Sequence, residues 1–216
     1  MKLKQNKLDL ADKIQKNITI FLRITLVIAI LVSIYNTNWL VVFSTFLVLI
    51  ATYLHLVIER RYKINLPIEF EFIIILFIYA GIFLGETNSY YQMFWWWDAM
   101  LHTISGIAIG FAGFLIMYVL YTKNKIKANP LLIVLFAFCF GVAAGAVWEI
   151  FEFVVDQLFN TNMQKNGLVD TMWDLIVDSI GALITSLVGY YYIKGKKLSL
   201  FHRLIRKFEN ENKRWK

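Results

Sequence analysis

Scarcity frames this chain of 216 residues. It has 1 cysteine, Cys139, so neither a disulfide framework nor a multi-thiolate metal site can form within one chain. It has only 2 prolines, and 17% of its residues are charged where a soluble domain carries nearer a quarter. No G-x-S-x-G nucleophile motif, phosphate-binding loop or H-E-x-x-H sequence occurs. The paired Glu-x-x-His of a di-iron bundle is also missing. What is abundant is apolar: 59% of residues, with a mean hydropathy of +0.59. That composition points away from an ordinary globular domain.

The apolar residues fall in six long runs, Ile18–Tyr35, Trp39–Ile58, Ile68–Leu84, Leu101–Tyr121, Pro130–Phe153 and Leu175–Ile193. A hydrocarbon core of ~30 Å needs roughly 20 helical residues, so each run is long enough to span, two of them marginally. The runs are too long and continuous for barrel strands, which leaves helices. The sequence thus predicts an all-α, polytopic integral membrane protein with six transmembrane helices. The first run carries Arg23 and ends in Ser33-Ile34-Tyr35-Asn36 without a small-x-small cleavage site, so it is expected to be retained rather than removed as a signal peptide.

Net charge is +7, and its placement matters more than its size. All but two of the 22 Lys and Arg residues lie in the N-terminal tail, the loops after the second and fourth runs, and the C-terminal tail. The exceptions are Arg23 and Lys165. By the positive-inside rule both termini are expected in the cytoplasm, N-in and C-in, in a multi-pass protein of a bacterial or archaeal plasma membrane. The basic charge then answers to membrane lipids and needs no nucleic acid. Residues 1–17 read as a basic tail or interfacial helix and 18–84 as a three-helix scaffold. Residues 95–193 form a three-helix functional unit, and 194–216 a basic amphipathic tail. In that last tail Phe201, Leu204, Ile205 and Phe208 recur at helical spacing opposite Arg203, Arg206 and Lys207. The segment from Leu198 to Phe208 is read either as a helix lying on the anionic inner leaflet or as a solvated stop signal. Phe94, Trp95, Trp96 and Trp97, with Tyr90 and Tyr91, read as an interfacial aromatic belt.

Eight of the 15 acidic residues fall on the expected outer side: Glu86, Asp98, Glu149, Glu152, Asp156, Asp170, Asp174 and Asp178, accompanied only by Lys165. Asp98 and His102 are four apart; Glu149, Glu152 and Asp156 step by three and four; Asp170, Asp174 and Asp178 step by four. Residues so spaced share one helix face. The same faces continue inward as Gly106, Gly110 and Gly113, as Gly145 and Gly141, and as Gly181, Ala182, Thr185 and Gly189. Small residues at four-residue spacing let helix backbones approach closely in lipid. Three helices are therefore expected to pack through glycines and surround one outward cavity with their acids.

Intramembrane carboxylates without basic partners must be protonated, bind a cation, or both. Asp98, His102, Glu149, Glu152, Asp174 and Asp178 are the candidate metal ligands, for Zn, Mn, Fe, Mg or Ca. Glu149, Glu152 and Asp178 are the candidate acid/base groups for chemistry on a lipid-linked or envelope substrate. A cation or proton transporter using the same carboxylates is the alternative, and a structural or partner-binding subunit a further one. Asp98 and Asp170 can also be read as N-terminal acids complementing helix dipoles. Glu86 and Asp156 read as loop solvation, and His55 and His202 as structural.

From Trp95 to Tyr192 the chain reads W-W-W-D-A-M-L-H, then W-E-I-F-E-F, then G-L-V-D-T-M-W-D-L-I-V-D-S-I-G-A. This resembles the YjdF-like family of bacterial membrane proteins, with Asp98, His102, Glu149, Glu152, Asp170, Asp174, Asp178 and Gly181 at matching positions. It is more distantly similar to VanZ-like proteins, which usually carry Gln near Glu152 and Asn near Asp178. The VanZ-like resemblance implies an envelope role linked to glycopeptide antibiotic tolerance, with no chemistry attached.

Overall fold

The computed structural model describes residues 10–165, 167–196 and 199–212. The tail residues Lys2, Lys4, Lys7, Asp9, Lys197, Leu198, Lys213, Arg214 and Lys216 lie outside them. The described residues are helical, with no strand among them. Among the described residues five helices are long and apolar enough to cross a membrane, or six if the bent pair Trp39–Ala51 and Leu54–Arg61 is one span. The chain is an all-α, multi-pass membrane protein. It forms two compact units: Met1–Met93 with Arg206–Trp215, and Phe94–Ile205.

In the first unit α1 (Leu10–Tyr35) packs on α2 (Trp39–Ala51) and α4 (Ile68–Ile78). The first helix starts eight residues before the apolar run and carries Lys13 and Lys16. Asn38 caps α2, its side chain accepting from the Val41 amide at 3.4 Å. The second run is not one helix. It breaks at Thr52-Tyr53 and resumes as α3 (Leu54–Tyr62), the two halves bent by 40°. A break frees carbonyls that lipid cannot satisfy. Arg23 of α1 satisfies one, donating from Nη2 to the Thr52 carbonyl at 3.0 Å, with its guanidinium 4.1 Å from the Tyr53 ring centre. His55 Nδ1 donates to the same carbonyl at 3.1 Å, and Glu71 stands 3.8 Å from Arg23 and 3.5 Å from His55. Uniform hydropathy hid this interruption, because Ala51, Thr52 and Tyr53 carry no charge. Helix α4 runs on as a π-helical segment, Tyr79–Thr87, followed by the short α5 (Tyr90–Met93).

In the second unit α6 (Trp97–Thr122), α7 (Pro130–Phe159) and α8 (Leu168–Ile193) each pack on the other two. Asn129 caps α7 with Pro130 at its first position, the place where a missing N–H costs nothing. Each helix extends past its apolar run toward the acidic side, so Asp98, Asp156 and Asp170 are helical and not loop residues. Glycines form the seam. A Cβ on Gly106 would fall on the Asp178 carbonyl oxygen, and one on Gly181 on the Thr103 carbonyl oxygen. A Cβ on Gly141 would meet the Ala182 Cβ at 2.7 Å, and one on Gly189 would meet the Phe114 ring at 2.5 Å. Backbone contact of this kind is open only to residues without a side chain.

The helix α9 (Ser199–Glu211) departs from the leaflet-lying expectation. Phe201 and Ile205 are buried, and the Phe201 ring lies 4.8 Å from Phe111 and 5.0 Å from Phe114. The apolar stripe that suggested a lipid surface is spent on protein. Within the first unit, Lys207 donates to Glu69 at 2.7 Å and to Asp12, and Asn212 exchanges hydrogen bonds with the Asn65 backbone.

Candidate functional site

The second unit is apolar outside and polar within. Ile150, Phe151, Leu158 and Trp173 are exposed on its helices, whereas His102, Glu149, Glu152, Asp174 and Asp178 are all buried. Against lipid this inversion is expected, since an ionisable side chain at depth must face protein or water. The three acidic helix faces meet at one point.

That point is His102. Its Nδ1 donates to Asp178 Oδ2 at 3.1 Å, and Ser105, one turn along α6, donates to the other Asp178 oxygen at 2.9 Å. The bond fixes the proton on Nδ1 and leaves Nε2 with a lone pair in the neutral ring. Nε2 faces three more carboxylates: Asp98 Oδ1 at 3.7 Å, Glu149 Oε1 at 3.9 Å and Asp174 Oδ2 at 4.0 Å. Asp98, His102 and Asp174 each offer a ligand atom within 4.8 Å of the others. Glu149 Oε1 is buried and has no hydrogen-bond partner. An orphaned carboxylate oxygen at this depth is costly, and it is aimed at the same ring nitrogen. The donor set of one imidazole and three carboxylates suits a divalent cation of borderline or hard character.

The other sequence candidates fall into place around this centre. Asp178 lies on the far side of the ring, where it orients His102. Glu152 sits one turn beyond Glu149 and outside the group at Nε2; its Oε1 accepts the Trp148 indole N–H at 2.8 Å. Asp170 occupies the first turn of α8, the favourable end of the helix dipole.

Asp156 does more than the loop solvation expected of it. One of its oxygens accepts from the Thr161 hydroxyl at 2.6 Å and the Met163 amide at 2.8 Å, the other from the Gln164 amide at 3.0 Å. These bonds fold the connection after α7 back over the site. Gln164 then donates to the Glu149 carbonyl at 3.2 Å and to the Thr171 hydroxyl at 2.8 Å, and Lys165 reaches Asp98 Oδ2 at 2.6 Å. The lysine supplies a basic partner at the edge of the acidic group, on Asp98. Ser105 was recoverable from sequence, being three residues from His102 on one face. Gln164 was not, and Lys165, the one base among the outer acids, could not be assigned to Asp98, because a loop has no periodicity to betray where it folds.

The family model described as a predicted membrane protein family, DUF2238, matches residues 18–195, and the chain belongs to that family. The match includes all three helices of the site. An uncharacterized protein of Thermotoga maritima is 31% identical over 107 residues, 50% of this chain and 54% of the relative. The chain thus matches about half the length of that relative. No solved structure matches the chain.

Proposed function

We propose that this DUF2238 protein holds a divalent cation between α6, α7 and α8 and works with it on a lipid-linked or envelope molecule. The reading rests on one observation above the rest: the buried Glu149 Oε1 without a hydrogen-bond partner, 3.9 Å from the His102 Nε2 that Asp98 and Asp174 also face. A cation ligated by His102 Nε2, Asp98, Asp174 and Glu149 would satisfy both atoms. The single imidazole favours Zn, Mn or Fe over Ca or Mg. Such an ion would supply Lewis acidity or an activated water. Asp178 and Ser105 then serve as positioning residues, and Glu152 as the adjacent acid/base group. The distribution of Lys and Arg supports a site on the outer face of the plasma membrane with both termini inside. The YjdF-like motif agrees with the family match, and the VanZ-like parallel is offered only as a pointer to the envelope.

Transport by the same carboxylates would need a polar route past the site. Gly106, Gly110, Gly141 and Ala182 close the helices against one another there, which favours binding over passage.

Metal content of protein purified without chelators tests the reading. Wild type should retain about one divalent ion per chain, lost in Glu149→Gln and in Asp174→Asn. A wild-type protein that remains metal-free after equilibration with Zn, Mn and Fe would overturn it.

A further inference from the structure

An open cleft of about 850 Å³ leads from the lipid-exposed flanks of α7 and α8 to Glu149. One wall is apolar: Ile150, Phe153 and Leu168, each exposed on the face that a membrane helix turns toward acyl chains. The rest of the lining is largely polar and includes the amides of Gln157, Asn160 and Asn162. Volume and lining are those of a small-ligand site, with one greasy side and one hydrogen-bonding side.

The charges decide what kind of head fits. Among the described residues the lining holds no lysine, arginine or histidine. It holds two carboxylates. The oxygens of Asp156 are taken by three donors from the connection that it folds. Glu149 belongs to the cation site. Asp98, Asp156, Asp174 and Glu149 carry four negative charges against three from a divalent cation and Lys165, so a phosphate head still meets a net negative site with no basic side chain in the lining. A cationic head would find no carboxylate left for it. Amides, which both donate and accept, pair with hydroxyl groups. We infer that the cleft takes an amphiphile with an uncharged, hydroxyl-rich head, such as a glycosyl lipid, which it presents to the cation site. The inference rests on the metal reading in that the cation occupies Glu149.

Three photoreactive probes of identical short alkyl chain, with glucosyl, phosphate or trimethylammonium heads, decide it on full-length protein in lipid nanodiscs. Adducts are mapped by mass spectrometry, and metal content is measured on the same samples. The glucosyl probe should label the segment 146–175 preferentially. Replacing Gln157→Leu with Asn162→Leu should reduce that labelling about five-fold or more, the effect of at least one lost hydrogen bond. Neither residue is a proposed metal ligand, so metal content should not change. Preference for the phosphate or trimethylammonium probe, or labelling indifferent to the head, overturns the inference. With metal present, that result leaves the cation site standing. Absence of metal overturns the cation site by itself, whichever head is preferred.

Discussion

His102 and Asp178 join α6 to α8 through a single 3.1 Å hydrogen bond at the depth of the acidic cluster. A carboxylate behind the ring fixes tautomer and orientation and raises the basicity of the exposed nitrogen. Asp178→Asn keeps an acceptor oxygen but loses the charge, and should weaken divalent metal binding about ten-fold. Asp178→Leu, which keeps neither, should weaken it nearer 100-fold. Competition with a chromogenic chelator measures both. Equal affinity in wild type and Asp178→Asn would remove the orienting role.

Lys165 shares Asp98 with the proposed cation. Replacing it, Lys165→Met, removes a positive charge 2.6 Å from a candidate ligand oxygen. Asp98 is partly exposed, so the effect is modest: metal affinity should rise about three-fold, in line with a partly solvated ion pair. Calorimetric titration reads it. A fall in affinity would make Lys165 a support of the site instead of a competitor.

Asp156→Ala deletes the acceptor of three hydrogen bonds and should cost about 2–3 kcal/mol, at ~1 kcal/mol for each. The loss should be local. Hydrogen exchange at Met163 and Gln164 should accelerate strongly, while amides in the middle of α6 keep their protection. Uniform acceleration through the whole unit would show that the connection is no separate element.

The glycine seam offers a pair of variants. Gly106→Val places a side chain against the Asp178 backbone, and Gly145→Val places one against the Asp178 carboxylate. Overpacking a close contact costs about 1–3 kcal/mol or more, and both variants should lower thermal stability in detergent. Both should also displace Asp178, the second at the oxygen that bonds His102, so metal affinity and stability should fall together. A Gly106→Val protein with normal stability and metal binding would contradict the seam.

A pH dependence is expected at the C-terminal helix. Burial works against the Lys207 ammonium, but hydrogen bonds to Asp12 and Glu69 outweigh it and hold its pKa above the ordinary lysine value. A raised folded value means stability that is fully present below about pH 10.4, the unfolded value, and lost as pH rises through the folded one. Burial pushes the neighbouring Glu211 carboxyl up, and the Lys207 charge opposes that shift. Thermal unfolding of wild type should therefore decline at strongly alkaline pH more steeply than that of Lys207→Met. Parallel declines would show that the ion pairs contribute nothing.

Much of this was legible in the sequence, and the limits have physical causes. Long apolar runs and i, i+4 acids are periodic signals, and they located the long apolar helices and the faces that meet at His102. Periodicity places residues on a face but not at a distance, so it could not separate Asp178, behind the ring, from Asp98 and Asp174 in front of it. The break at Thr52-Tyr53 left no trace in hydropathy. The α9 stripe was visible, but amphipathicity does not say whether lipid or protein covers it. Phe111 and Phe114, which cover Phe201, lie more than eighty residues earlier in the chain.

The bent second crossing bears on how the protein enters the bilayer during synthesis. Arg23 lies in the middle of α1, and an arginine at a helix centre opposes insertion by roughly 2.5–3.5 kcal/mol. Its carbonyl partner at Thr52 emerges 29 residues later, and its carboxylate partner Glu71 later still. Those partners offset part of that cost once they arrive, so α1 is expected to insert more completely when followed by residues 36–71 than when made alone.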